Sequence, residues 1–149
     1  MTPVVRDPAF EARVRASFAK QSFMATLGAE LRTVTVGEVT IALPFRADLT
    51  QQHGFLHAGV GTSVVDSACG YAALTVMEPG AAVLSVEFKL NLLAPAQGSE
   101  FVAIGRVVRA GRTLVVCSGE LHAIHNERDT VVALMQGTMM AVRDKGLSD

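Results

Sequence analysis

Residues 51–77 read QQHGFLHAGVGTSVVDSACGYAALTVM, a long apolar stretch with one charged side chain, Asp66, near its middle. The part from 57 to 77 is long enough for a membrane span, but an aspartate at the centre of a span costs about 2.5 to 3.5 kcal/mol. Small residues, including Gly59 and Gly61, make it less apolar still. A helix that is apolar on all sides in a soluble protein has to be buried by its own fold. The stretch therefore predicts a buried central helix over about 57–77 and no membrane association.

Length and composition predict one compact domain spanning 1–149, large enough to form a core without disulfides or metals. The 13 basic and 14 acidic residues give a net charge of -1, which offers no electrostatic footprint for nucleic acid or an anionic membrane. Cys69 and Cys117 lie in unrelated segments, which disfavours a disulfide framework. The first residues lack the apolar core and cleavage site of a signal peptide, so we expect a cytoplasmic location.

Strand patterns surround the predicted central helix. A short amphipathic helix is expected at about 8–20, and alternating residues on either side of Gly37 predict a hairpin. After the central helix, apolar residues from Leu84 to Leu92 alternate with polar ones, which places Ser85 on the polar face of a strand. Three more strands are predicted, at about 99–109, 113–124 and 130–142. This order favours an α+β fold in which a six-stranded antiparallel sheet wraps around the central helix.

The start of the central helix carries the most specific pattern in the chain. It reads HAGVGTSVVD, with His57, a small residue, Gly59, and then Asp66 nine positions after the histidine. Together with SVEFKLNLLAPA in the next strand, it resembles the hotdog-fold acyl-CoA thioesterases of the phenylacetate-pathway, phenylacetyl-CoA thioesterase-like type, over about residues 20–142. The resemblance implies the hotdog fold and hydrolysis of an acyl-CoA thioester to a free acid and CoA. It implies no cofactor, since CoA is part of the substrate.

The chain departs from that family at two positions. Ala58 replaces the first glycine of the family's HGG, a mild change if a backbone amide does the work. Gln51 stands where the well-studied members carry an asparagine, and it keeps the amide group on a side chain one methylene longer. Gln52 could share that role, and the sequence leaves open which of the two side chains points inward.

These residues suit the chemistry of a thioester. The first turn of a helix supplies free backbone N–H groups and the positive end of the helix dipole, so the amides of Ala58 and Gly59 could stabilise an oxyanion. Asp66 could activate water as a general base or attack the carbonyl carbon itself, and both options remain open. His57, at the start of the helix, is expected to orient the site or the loop rather than to take the proton.

Helix geometry predicts a site shared between two chains. Eight residues separate Ala58 from Asp66, about 12 Å at 1.5 Å per residue, so one chain cannot bring both to one carbon atom. If both act together, the amide comes from one chain and Asp66 from its partner. The resemblance implies a homodimer with a continuous sheet, paired along 83–92, or a dimer of such dimers. It also makes Ser85 a candidate for substrate binding, and Arg109 and Arg112 could meet the phosphates of CoA.

Other interpretations remain open. His122 and His125 invite a zinc site, but residues three apart on a strand point to opposite faces, so no metal is expected. A non-catalytic acyl-CoA binding or sensing protein would use the same fold. A hydratase or dehydratase acting on enoyl or 3-hydroxyacyl thioesters is disfavoured because no histidine lies near Asp66 along the helix. The acyl group, the choice between CoA and a carrier protein, and the choice between dimer and tetramer stay undecided.

Overall fold

The structure, a computed structural model, describes residues 4–143, 146, 147 and 149. The described residues form three α-helices and six strands. The helices are α1 (Phe10–Lys20), α2 (Ser22–Leu27) and α3 (Ala58–Leu74). The strands are β1 (Glu30–Thr35), β2 (Glu38–Pro44), β3 (Ala82–Leu92), β4 (Glu100–Ala110), β5 (Leu114–His125) and β6 (Arg128–Val142). A short 3-10 turn, Ala47–Leu49, lies between β2 and α3. The predicted α+β class and the six strands are confirmed.

All six strands form one antiparallel sheet in the order β1-β2-β4-β5-β6-β3. The sheet wraps around α3, and two glycines allow its strands to approach the helix closely. A Cβ on Gly105 would lie 2.3 Å from the carbonyl carbon and oxygen of Ala68, and one on Gly119 would lie 2.4 Å from Cγ1 of Val65. Side chains do not tolerate such distances, so the backbone of β4 and β5 lies directly against the helix. This contact helps to fix the position of α3 against the sheet.

The central helix is shorter than the predicted 57–77 at its C-terminal end. It ends at Leu74, and Thr75 follows as its cap. The hydroxyl of Thr75 donates to the carbonyl of Ala72 at 2.7 Å and accepts from the N–H of Gly37 at 2.8 Å. This link to the β1–β2 turn is a tertiary contact, so the local sequence did not reveal it. None of the described helices is long and apolar enough to span a membrane.

The N-terminal region contains a second helix that the sequence did not predict. Helix α1 falls within the predicted 8–20, and Val14 on its inner face is fully buried. Gln21 then adopts an extended conformation and α2 begins at the next residue. Six residues give too little periodicity to recognise, and Gly28, at a φ of 74°, ends the helix.

Strand β3 does not follow the unbroken alternation that the sequence predicted. A bulge lies between Ser85 and Glu87, so that Val86 is an extra residue relative to β6. As a result, Ser85 and Phe88 both lie on the side of the sheet that faces α3. The prediction that Ser85 lies on the polar face is therefore wrong, because the bulge reverses the facing of the strand partway along.

Strand β3 is also an open edge of the sheet. Between 43% and 61% of the surface of four apolar side chains on this strand remains exposed: Leu84, Val86, Phe88 and Leu92. An edge of eleven residues with exposed apolar side chains is a surface on which another strand can pair. The dimer expected through this strand stays a prediction.

Candidate active site

Asp66 forms the first half of the candidate site. Its Oδ1 accepts a hydrogen bond of 2.8 Å from the hydroxyl of Ser85, which the bulge turns toward α3. Partial burial raises the pKa of Asp66 above its ordinary value, and the hydrogen bond from Ser85 offsets part of that rise. The carboxylate lines a small cavity of about 120 Å³, which we call the aspartate cavity. A half-buried carboxylate with one oriented oxygen can accept a proton or attack an electrophile.

The N-terminus of α3 forms the second half. His57 is the N-cap, and its Nδ1 accepts the backbone N–H of Gly59 at 2.9 Å. In the neutral ring, this leaves the proton on Nε2. The N–H of Gly59 is thereby occupied, whereas the N–H of Ala58 has no partner among the described residues. Of the two predicted oxyanion donors, only the amide of Ala58 is free to bind a ligand in this conformation.

The two glutamines differ in their surroundings. The side-chain oxygen of Gln51 accepts the backbone N–H of His53, and Gln51 lines a large cavity beside the start of α3. Gln52 is exposed, and its Nε2 lies 3.3 Å from Nε2 of His53. The structure therefore places Gln51, and not Gln52, at the cavity.

That large cavity, called the apolar cavity below, has a volume of about 480 Å³. It lies between the first turns of α3 and the ends of β3, β5 and β6. Its walls are mostly hydrocarbon, with the exceptions of Gln51, His57 and Thr62, and they include Phe55, Leu56, Leu90, Leu92, Leu121 and Val132. No lining side chain is an acid, a lysine or an arginine among the residues that the structure describes. The cavity therefore suits an uncharged apolar group next to the free amide of Ala58.

Within one chain the two halves of the site do not meet. Asp66 lines the aspartate cavity and not the apolar cavity, in keeping with the distance of about 12 Å along α3. Ser85 lies with Asp66, whereas His57, Ala58 and Gln51 lie at the apolar cavity.

Arg109 and Arg112 lie away from both halves of the site. Both are exposed near the turn between β4 and β5, and neither lines either cavity. Arg109 lies opposite Val116, whose buried neighbours Val115 and Cys117 face α3. Its side of the sheet is therefore the one turned away from the helix.

Two residues near Asp66 escaped the sequence reasoning. Gln21, between α1 and α2, accepts a hydrogen bond of 3.2 Å from the hydroxyl of Ser67, and both line the aspartate cavity. Tyr71, one turn beyond Ser67, also lines this cavity. Gln21 comes from a distant part of the chain, and no local pattern marks it. Only the helical spacing of Tyr71, five residues after Asp66, could have suggested a place nearby.

Other candidate chemistry is disfavoured by the surroundings. Burial raises the pKa of Cys117 to about 12 and also raises the pKa of Cys69, so neither thiol is ready to act as a nucleophile. His122 and His125 lie on opposite faces of β5, as their spacing predicted. The described residues contain no group of three or more potential metal ligands.

Comparison with known proteins identifies relatives of the chain. The model of the thioesterase superfamily matches residues 53–130, which include His57, Ala58 and Asp66. A thioesterase family protein from Silicibacter pomeroyi is 48% identical, with a TM-score of 0.89, over 90% of this chain and 98% of that one. The PaaI protein from the phenylacetic acid degradation operon of E. coli is 19% identical, with a TM-score of 0.81, over 93% of this chain and 96% of that one, and it shows the shared fold.

A candidate esterase from Saccharolobus solfataricus is 35% identical over 54% of this chain, and the match spans 56% of the relative's length. The matched region of that relative is thus little more than half of it.

Proposed function

This chain belongs to the thioesterase superfamily, and from that premise we propose that it hydrolyses an acyl-CoA thioester to a free acid and CoA. The observation that carries the proposal is the oriented carboxylate of Asp66 on the buried helix. A half-buried carboxylate whose pKa is raised by burial is costly to keep ionised, and perturbed acids of this kind cluster at functional sites. The apolar cavity, with the amide of Ala58 at its edge, supports a place for the acyl group and for its carbonyl oxygen.

Asp66 supplies the base or the nucleophile in this proposal. As a base, its carboxylate takes a proton from water while the water oxygen attacks the carbonyl carbon. The C–S bond then breaks and the CoA thiolate takes up a proton. As a nucleophile, the carboxylate forms an acyl anhydride and releases the CoA thiolate, and water then hydrolyses the anhydride. In both cases Ser85 orients the carboxylate by its hydrogen bond to Oδ1.

The amide of Ala58 stabilises the negative charge that develops on the carbonyl oxygen. A single donor of this kind contributes about 2.7 to 4 kcal/mol of transition-state stabilisation. His57 acts as a positioning residue, because its ring caps the helix and occupies the N–H of Gly59. The carbonyl oxygen is thereby directed to Ala58.

The proposed site is completed by a second copy of the chain. If two β3 strands pair antiparallel about their middle, the Ser85 end of one strand meets the Leu90–Leu92 end of the other. The first end carries the aspartate cavity and the second borders the apolar cavity. Such a homodimer, which could pair again into a tetramer, places Asp66 of the partner subunit beside the amide of Ala58. Its exposed apolar side chains make β3 a suitable strand for this pairing.

The proposal is tested by thiol release from short, medium, long and aromatic acyl-CoAs. Asp66→Asn keeps the shape of the side chain and removes its basicity, so we expect kcat to fall by orders of magnitude. Asp48→Asn is the matched control, since Asp48 is an exposed carboxylate paired with Arg46. Thermal unfolding and sedimentation establish that each variant is folded and assembled.

Three outcomes would contradict parts of this picture. Equal turnover by wild type and Asp66→Asn would overturn the role of Asp66. Binding of acyl-CoA without turnover by wild type would instead indicate a binding or sensing protein. Addition of water to an enoyl-CoA without thiol release would indicate a hydratase.

A further inference from the structure

The turn between β5 and β6 extends the helix-facing side of the sheet beyond the start of α3. Leu121, which borders the apolar cavity, is followed on the same face by Ala123 and then by His125. Arg128 pairs with His125 across the hairpin, and Thr130 pairs with Ala123. Ala123, His125, Arg128 and Thr130 line a further cavity of about 410 Å³, called the polar cavity here.

The polar cavity adjoins the apolar cavity. Pro95 and Val132 belong to the walls of both. From Leu121 to His125 the strand advances four residues, about 13 Å at 3.3 Å per residue. A ligand that starts at the N-terminus of α3 can therefore continue along the hairpin into a polar compartment.

One fixed positive charge and several polar groups in the polar cavity favour an anion. Its lining includes the guanidinium of Arg128, the imidazole of His125, the amide of Gln97 and the hydroxyl of Thr130, and no lining residue is an acid among those described. Arg128 takes part in none of the ion pairs formed between described residues.

The acids on either side of Arg128 in the sequence do not neutralise it. Asp129 faces the other side of the sheet, where its Oδ1 lies 2.7 Å from Nδ1 of His122. Glu127 is exposed in the turn and lines no part of the polar cavity. An arginine with no carboxylate partner among the described residues, next to other hydrogen-bond donors, is suited to bidentate binding of a phosphate or carboxylate.

We propose that Arg128, assisted by His125, binds an anionic group of the substrate in the polar cavity. This site presupposes the thioesterase activity proposed above and adds a recognition element to it. The anion could be a phosphate of CoA, reached through the pantetheine arm, or a carboxylate at the far end of the acyl chain. Both present the same chemistry to Arg128, and they are separated by the choice of substrate.

The test compares kcat/KM of wild type and Arg128→Gln on three esters: an acyl-CoA, the N-acetylcysteamine thioester of the same acid, and an N-acetylcysteamine thioester whose acyl chain ends in a carboxylate. Loss of a hydrogen-bonded charge contact corresponds to about a 10- to 100-fold effect. If the anion is a CoA phosphate, we expect this loss through KM on acyl-CoA alone. If the anion is an acyl carboxylate, the loss falls on the third ester alone. Arg128→Lys keeps the positive charge but not the paired N–H donors of the guanidinium, so it should lose less kcat/KM than Arg128→Gln.

Arg15→Gln is the matched control, because Arg15 is an exposed arginine of α1 that pairs with Glu11. The proposal is overturned if Arg128→Gln matches wild type on all three esters, or if it loses the same factor on all three. A rise in KM for acyl-CoA in Arg109→Gln or Arg112→Gln, with Arg128→Gln unchanged on all three esters, would place the anion site at the β4–β5 turn instead.

A failure of the proposed function is distinguishable from a failure of the anion site. If wild type hydrolyses none of the esters, equilibrium binding is measured with CoA and with the carboxyl-terminated thioester. Weaker binding of either probe to Arg128→Gln than to wild type and Arg15→Gln supports the site. Equal binding of both probes to all three proteins refutes it.

Discussion

Replacing Ala58 with proline removes the free amide at the start of α3 and changes little else. Ala58 is the first residue of the helix, where proline is well tolerated because the N–H has no partner within the helix. The preceding residue, His57, has φ -61° and ψ 134°, an extended conformation that is compatible with a following proline. We therefore expect Ala58→Pro to fold like wild type.

The expected effect is large and confined to the chemical step. Loss of one oxyanion donor costs about 2.7 to 4 kcal/mol, a fall of about 10²- to 10³-fold in kcat. Gly59 does not compensate, because its N–H is held by the ring of His57. The apolar cavity keeps its other walls, so KM should change little.

Thiol release from the preferred acyl-CoA gives kcat and KM for wild type, Ala58→Pro and Ala58→Gly. Ala58→Gly retains the N–H and should stay within a few-fold of wild type. A folded Ala58→Pro protein with the kcat of wild type would refute the assignment of this amide as the oxyanion donor.

Mixing Ala58→Pro with Asp66→Asn tests whether the site is shared between chains. In a shared site, each hybrid dimer combines an intact Ala58 from one chain with an intact Asp66 from the other at one of its two sites. Random exchange makes about half of the dimers hybrid, so about a quarter of wild-type activity should return for a symmetric dimer. If the mixture stays inactive although hybrid dimers are detected, each site lies within one chain.

Four further outcomes follow from the structure. Ser85→Ala removes the hydrogen bond that lowers the pKa of Asp66, so the acid limb of the pH–kcat profile should move to higher pH. Because burial raises the pKa of Asp66, the folded chain loses stability as pH rises through that pKa and the carboxyl group ionises. Asp66→Asn removes this ionisation, so thermal melts at neutral pH should show a higher Tm than wild type. Gly105→Ala forces a Cβ against helix backbone and should cost at least about 1–3 kcal/mol in urea unfolding, whereas Gly70→Ala meets no atom within 4 Å and should gain up to about 1 kcal/mol. Val86→Lys places a charge on the open edge of β3 and should yield monomers of low activity in sedimentation and thiol-release assays.

The parts of the fold that depend on local patterns were predictable. The apolar helix around Asp66 and the strands between turn residues came from periodicity over neighbouring positions, and their bounds agree within a few residues. The bulge at Val86 depends instead on how β3 pairs with β6, some fifty residues later. Helix α2 was missed because six residues carry no clear period.

The candidate site divides in the same way. His57, Ala58 and Asp66 lie within ten residues of one another, so their pattern could be read directly. The occupation of the Gly59 amide by His57 depends on a side-chain rotamer that a sequence does not specify. Gln21 and Arg128 reach their cavities through packing and strand pairing between distant segments. The sequence indicated Arg109 and Arg112 near the turn between β4 and β5, whereas Arg128 lies at the other end of β5.

Because of the bulge in β3, the side of the sheet that Ser85 faces depends on the number of residues in the strand and not only on their types. On either side of Val86 the strand is regular, and Val86 itself has no partner on β6. Deleting Val86 would thus join two segments that are already in phase, and Ser85 would keep facing Asp66. Inserting one residue between Ser85 and Glu87, or aligning a relative with a regular strand without a gap here, would shift the phase by one position. Length variation at this point of the chain is therefore as informative about the site as substitution.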